Sequence, residues 1–172
     1  APVVMTNITA LLQKTLAAAQ LEQCTRAFKR GDSIDPLDLI EWLEEQGYEP
    51  EAQVTQRGEI ALRGGIVDVY PLTCPWPVRL EFFGNDLESL RYFDPTTQIS
   101  REEIPEIVLP PGGELGIMKR LVRDGAKVSE CIATFFDQLP ADTIVLLANP
   151  AELQQYGESY VKELGADNPF FL

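Results

Sequence analysis

Histidine is absent from this chain of 172 residues. Without an imidazole there is no histidine general base, no Ser-His-Asp arrangement and no histidine-ligated metal. Cysteine is sparse. Cys24, Cys74 and Cys131 lie 50 and 57 residues apart, with no CxxC pair. An odd, scattered set reads as reduced thiols of a cytoplasmic protein, not as a disulfide framework or a zinc site. No apolar run approaches the ~20 residues of a membrane span, and no signal peptide opens the chain. Basic charge is also short: 14 Lys and Arg face 27 Asp and Glu, for a net charge of −13. That balance disfavours phosphate-driven nucleic-acid binding, which needs a basic surface. It favours protein partners or plain solubility.

Motifs of catalysis are missing too. There is neither a GxxxxGK[ST] phosphate loop nor a GxGxxG fingerprint. Glu44-Glu45 and Glu102-Glu103 are adjacent carboxylates, and adjacent residues do not share a helix face. They read as solvated charge. Nothing assembles a nucleophile, a base and an oxyanion site. The chain is therefore expected not to be an enzyme, and to hold no cofactor and no metal. Its opening, APVVMTN, lacks a start Met and reads as an interior strand, which suggests a piece of a longer protein.

What is present suits a packed domain, with 45% hydrophobic and 24% charged residues. Thr6-Asn7 is an N-cap candidate for a helix reaching about Ala19. Residues 24–29 could form a strand. Asp35 followed by Pro36 is a strong helix start; Leu37, Ile40, Trp42 and Leu43 then supply an apolar stripe that Gly47 ends. Between about 51 and 108 the period switches to two. From Pro110 the chain turns loop-like. Helical patterns return at about 127–138 and 151–164, flanking a strand-like TIVLLA at 143–148. The fold class expected is α/β of the α+β kind. A β-rich module with an antiparallel sheet and a helix (35–109) is inserted in a partial α/β domain made of 1–34 and 110–172.

The stretch GEIALRGGIVDVYP (58–71) reads as a hairpin around Gly64-Gly65, glycines that can supply the positive φ of a tight turn. That loop pairs Arg63 with Ile66, Leu62 with Val67, Ala61 with Asp68, Ile60 with Val69 and Glu59 with Tyr70. One face is then wholly apolar: Ile60, Leu62, Val67 and Val69. The other carries Glu59, Arg63, Asp68 and Tyr70 around Ala61 and Ile66. A one-residue slip would mix the two, so the separation supports the register. The same parity in PVRLEFFG (77–84) buries Val78, Leu80 and Phe82 and turns Arg79, Glu81 and Phe83 outward. Phe83 is the misfit, a large ring on a charged face. It either caps the strand end or tucks under the 36–46 helix, or it anchors a partner, since aromatics and Arg dominate interface energetics. Alternation breaks near Ser89-Leu90, which leaves the direction of Arg91 open.

Arginine usage points toward a partner. Residues 57–101 hold five of the nine arginines, none of the five lysines and six acids; the rest of the chain has 21 acids against nine bases. Arg suits planar, bidentate pairing with a partner's carboxylates. Cross-strand pairs with Glu59, Asp68 and Glu81 are the alternative use, at ~0.2–1 kcal/mol each; both can hold.

The runs GEIALRGGIVDVYP, PVRLEFFGNDLESLRYFDPTTQ (77–98) and IVLPP (107–111) resemble the N-terminal part of the bacterial transcription-repair coupling factor family (Mfd). The resemblance lies in the module which that family shares with the excision-repair protein UvrB. VVMTNITALLQK (3–14) and DPLDLIEWLEEQGYEPEAQVTQRGE (35–59) are similar to the same region. The resemblance covers residues 3 to about 111 well and the remainder more loosely. It implies a UvrA-recruiting module flanked by a UvrB-like α/β domain without nucleotide-binding motifs. In the family the parent is an ATP-driven translocase that binds DNA and RNA polymerase, parts this chain lacks, and it can contact the module intramolecularly. The surface proposed there to meet UvrA matches Arg63, Arg79 and Phe83 here, with Glu81 and Arg91 as further candidates. UvrB itself is the near alternative, although its hairpin usually has an acid where this chain has Gly65. A single-stranded nucleic-acid binder that stacks bases on Phe83 is the alternative from another class.

Overall fold

The computed structural model describes residues 3–123, 125 and 131–164. The chain opens with α1 (Ile8–Leu12), β1 (Lys14–Leu16), α2 (Ala18–Gln23), β2 (Arg26–Lys29) and α3 (Pro36–Glu45). Six strands follow: β3 (Glu49–Pro50), β4 (Glu59–Arg63), β5 (Ile66–Val69), β6 (Val78–Phe83), β7 (Asp86–Phe93) and β8 (Ser100–Glu103). After them come β9 (Glu106–Leu109), α4 (Glu114–Arg123), β10 (Ile132–Thr134), a 3-10 turn at Phe136–Gln138 and α5 (Pro150–Leu164). Contacts divide the chain into two compact units, one of Leu21–Lys119 and one of Ala1–Gln20 with Arg120–Leu172.

In the Leu21–Lys119 unit the sheet runs in the order β3-β4-β5-β6-β7-β8, parallel between β3 and β4 and antiparallel elsewhere. The class is α+β, as expected. The hairpin register matches the one read from alternation, with Arg63 opposite Ile66 and Ile60 opposite Val69. One half of the turn rationale changes. Gly64 sits at φ 63°, but Gly65 is needed for space, because a Cβ there would lie 2.7 Å from the Phe82 carbonyl oxygen. The Phe82 N–H donates to the Gly65 carbonyl at 2.7 Å, so the turn lies against the end of β6.

Helix α3 covers the inner face of this sheet. Asp35 caps it by accepting from the Leu37 N–H at 2.8 Å, Pro36 fits the first turn, and Gly47 follows at φ 86°. Its buried residues are Leu39, Trp42 and Leu43. They share one core with Ile60, Val67, Val69, Val78, Leu80, Leu87 and Leu90, and with Phe28, Ile107 and Leu109 of the antiparallel β2-β9 ribbon. The stripe expected on α3 is corrected at one position. Leu37 is 61% exposed, and Leu39 takes its place inside.

In the Ala1–Gln20, Arg120–Leu172 unit, several expectations do not hold. Asn7 does cap a helix, accepting from Ala10 at 2.9 Å, but α1 ends at Leu12 instead of reaching Ala19. Lys14–Leu16 instead pair with Ile132–Thr134 as strands, which buries Leu16. Tertiary pairing overrides local helix propensity here. The same pairing replaces the described part of the helix expected at 127–138; residues 127–130 lie outside the described residues. Val3, Val4 and Met5 are exposed and unpaired. TIVLLA forms no strand: no neighbour among the described residues lies alongside, and Ile144 to Leu147 stand exposed. Residues 114–123, read as loop, form α4. The last helix is where periodicity placed it, and Gly157 packs on Ile8 of α1.

Leu43→Ala should lower unfolding free energy by ~2–5 kcal/mol through the cavity it leaves, whereas Leu37→Ala should change it by less than ~0.5 kcal/mol. Urea titration of both variants checks this.

Candidate functional site

The outer face of the sheet collects the residues singled out from the sequence. Reading across the strands, Arg63 is opposite Ile66, Ile66 opposite Glu81, and Glu81 opposite Ser89. In the next row Asp68 is opposite Arg79, Arg79 opposite Arg91, and Arg91 opposite Glu103. The alternation break is a bulge: Glu81 pairs with Ser89 but Phe82 with Leu87, so Glu88 is the extra residue. The bulge returns β7 to phase and puts Arg91 on the same face as Arg79. That answers the question its direction had left open.

Half of this face is not open. At one end Val54, Ala61, Tyr70 and Phe93 form a second small core. The loops before β4 and after β7 close over it. Gln98 ties them together, donating from Nε2 to the Val54 carbonyl at 3.1 Å and to the Pro95 carbonyl at 2.8 Å. Glu59 pins the first loop by accepting from the Thr55 and Gln56 N–H groups at 2.7 and 2.8 Å. Asp94 pins the second, accepting from Thr96 and Thr97 at 2.9 Å each.

Where that cover ends, Asp68 lies fully buried beneath two arginines. Arg79 grips it with a fork, Nε to Oδ1 at 2.8 Å and Nη2 to Oδ2 at 2.9 Å. The Arg63 Nη2 donates to the same Oδ2. Arg79 is further held by Nη1 on the Gln98 carbonyl at 3.3 Å and by stacking 4.6 Å above the Phe93 ring. Its side chain is only 13% exposed, against 44% for Arg63. The hydrogen bonds that Arg79 donates to Asp68 raise the Arg79 pKa above its ordinary value, although burial pulls the other way. The outward placement expected for Asp68 and Arg79 is thus correct in direction, but the loops and the pairing take both out of water.

The other end of the face is open. Phe83 is 76% exposed and touches neither α3 nor the core, so the reading that tucks it under the helix is wrong. The register carries it past Glu81 to the Gly64-Gly65 turn, on the same face as Arg63. Glu81 is half-buried and accepts from the Ser89 hydroxyl at 2.5 Å. An open groove of about 650 Å³ runs beside it, walled by Glu81, Glu88, Ser89, Arg91, Arg30 and Glu103. The Arg91 Nε is buried there without a hydrogen-bond partner. Sequence reasoning missed Gln98, Phe93 and Val54 as the props of this face. The bulge hid them, because the face of Phe93, two residues after Arg91, is unassigned until β6 and β7 are paired.

Among the described residues no group of three His, Cys, Asp or Glu could hold a metal ion. No helix among them is long and apolar enough to cross a membrane.

With this geometry in place, the chain belongs to the UvrB interaction domain family, which it matches over residues 27–114, just over half its length. It is similar to the transcription-repair-coupling factor of Bacillus subtilis (strain 168), at 33% identity over 143 residues that make up 83% of this chain and 12% of that protein. The transcription-repair-coupling factor of Haemophilus influenzae is 37% identical over 109 residues, 62% of this chain and 9% of that one. That of Staphylococcus aureus (strain bovine RF122 / ET3-1) is 34% identical over 113 residues, 65% of this chain and 10% of that one. The resemblance drawn from the hairpin and the VRLEFF strand is therefore borne out. The chain spans about a tenth of the length of the curated relatives it matches.

The loop pins titrate. In Glu59 burial opposes ionisation, but the hydrogen bonds from Thr55 and Gln56 outweigh it and hold the carboxyl below its ordinary 4.5. The Thr97 and Thr96 N–H groups likewise hold Asp94 below 3.8. A depressed folded pKa adds stability that is complete above the ordinary value and is lost as pH falls through the folded one. The melting temperature should therefore fall on acidification from about pH 6 to pH 3, and less steeply in Glu59→Gln, measured by circular dichroism.

Proposed function

We propose that the chain is a docking module that recruits UvrA to begin transcription-coupled nucleotide excision repair, with no catalytic activity of its own. The family match and the coupling-factor relatives support this reading. So does one observation above the others: Phe83, a large ring 76% exposed, lies on the same face as Arg63, on the open half of a face whose other half is sealed. An exposed aromatic sharing a face with a half-exposed arginine has the composition of an interface hot spot. In this reading Arg63, Arg79 and Phe83 form the docking centre, with Glu81 and Arg91 at its margin. Residues 35–109 are the UvrA-binding module, and 1–34 with 110–172 are parts of a UvrB-like α/β domain. The translocase, DNA-binding and polymerase-binding activities belong to portions of a longer parent, which would work in the cytoplasm.

UvrA should be retained by the immobilised 172-residue chain. Phe83→Ala should weaken retention by ~2 kcal/mol, about thirtyfold, while shifting stability by less than ~0.5 kcal/mol, because the ring buries little in the free protein. An oligonucleotide passed over the same surface should not bind. Absence of UvrA retention, or retention indifferent to Phe83→Ala, would sink the proposal.

A further inference from the structure

Asp68 is the one buried acid among the described residues, and its carboxylate faces two arginines of the docking face. A buried ion pair is a weak device for stability, since apolar residues of similar volume commonly serve a fold as well or better. In some folds its contribution is to hold polar groups in defined positions. Here the two guanidinium groups differ in what remains available to a partner. Arg79 donates Nε and Nη2 to Asp68 and Nη1 to the Gln98 carbonyl, and one side of its plane lies on Phe93. Its carboxylate-binding fork is occupied. Arg63 gives only Nη2 to Asp68, and 44% of its side chain is in solvent. Its Nε and Nη1 hydrogens remain for another acceptor.

We propose that Asp68 is the positioning residue of the docking face: its buried carboxylate presets Arg63 and Arg79, so that Arg63 takes a carboxylate of the partner while Arg79 serves as its fixed neighbour. This rests on the UvrA reading above and adds roles within it. Without Asp68, the Arg63 side chain samples its rotamers freely, and affinity falls by the fraction of time it spends in the competent one.

The test uses the 172-residue chain, UvrA and a thermodynamic cycle of Asp68→Asn, Arg63→Ala and the double variant. Asparagine keeps the shape and loses the charge. Asp68→Asn should weaken UvrA binding roughly tenfold, and Arg63→Ala should then cost much less than it does in the parent. Additive losses, or unchanged binding by a folded Asp68→Asn protein, would overturn the proposal. A parent chain that does not bind UvrA at all overturns the underlying reading instead. The arginine side-chain NMR spectrum of the free parent separates that case and also covers a variant that fails to fold. Preset arginines require an Arg79 Nε–H signal protected from solvent exchange in the free chain, and an Arg63 Nε–H signal that shifts when UvrA is added. A rapidly exchanging Arg79 signal, or an unmoved Arg63 signal in a chain that binds, refutes the assignment.

Discussion

The antiparallel register from Glu59 to Phe93 is the constraint on which the site depends. Once Arg63 pairs with Ile66 and Asp68 with Arg79, every side chain of β4, β5 and β6 is committed to one face or the other. The inner face takes the aliphatic row and is sealed by α3 and the β2-β9 ribbon. Its burial drives the hydrophobic part of folding. The outer face receives whatever is left, including charges and one aromatic ring. A surface of that kind arises because the core fixes register, and register cannot slip by one residue without exposing the whole aliphatic row.

On the outer face, cover and charge work together. The loops pinned by Glu59 and Asp94 shield one end, and Gln98 joins them over the Val54–Phe93 cluster. Shielding lowers the local dielectric around Asp68, which strengthens its hold on both arginines. The uncovered end then presents a preset Arg63 and a bare Phe83. In the proposed docking role, an anchor of this design would bind without first ordering long side chains, which is where flexible surfaces lose affinity. The chain's acidity fits such a module, because nothing in it asks for a phosphate backbone.

Much of this was legible in the chain itself. The pairing of the hairpin, the start of α3 at Asp35-Pro36 and the split of Phe82 from Phe83 all follow from alternation and capping, which are local rules. The outward direction of Arg63, Arg79 and Phe83 follows from parity alone. Other features resisted for identifiable reasons. Lys14–Leu16 carries a helical pattern but pairs with a strand more than a hundred residues away. Leu37 fits the apolar stripe, yet it is exposed and Leu39 is the residue buried in the first turns of α3. The bulge at Glu88 is invisible to a strict period of two, so Arg91 had no assignable face until the strands were paired.

Composition and pattern alone determined the absence of histidine chemistry, the acidic balance and the two-faced hairpin, because these depend on residue identity and short spacings; the kinship with coupling factors rests on resemblance over longer runs. Only the tertiary structure decided which outward residues meet water. Asp68 and Phe83 obey the same parity, but one lies beneath two arginines where the loop cover ends and the other stands 76% exposed. Alternation assigns a side of the sheet; packing from distant segments decides whether that side is inside or outside.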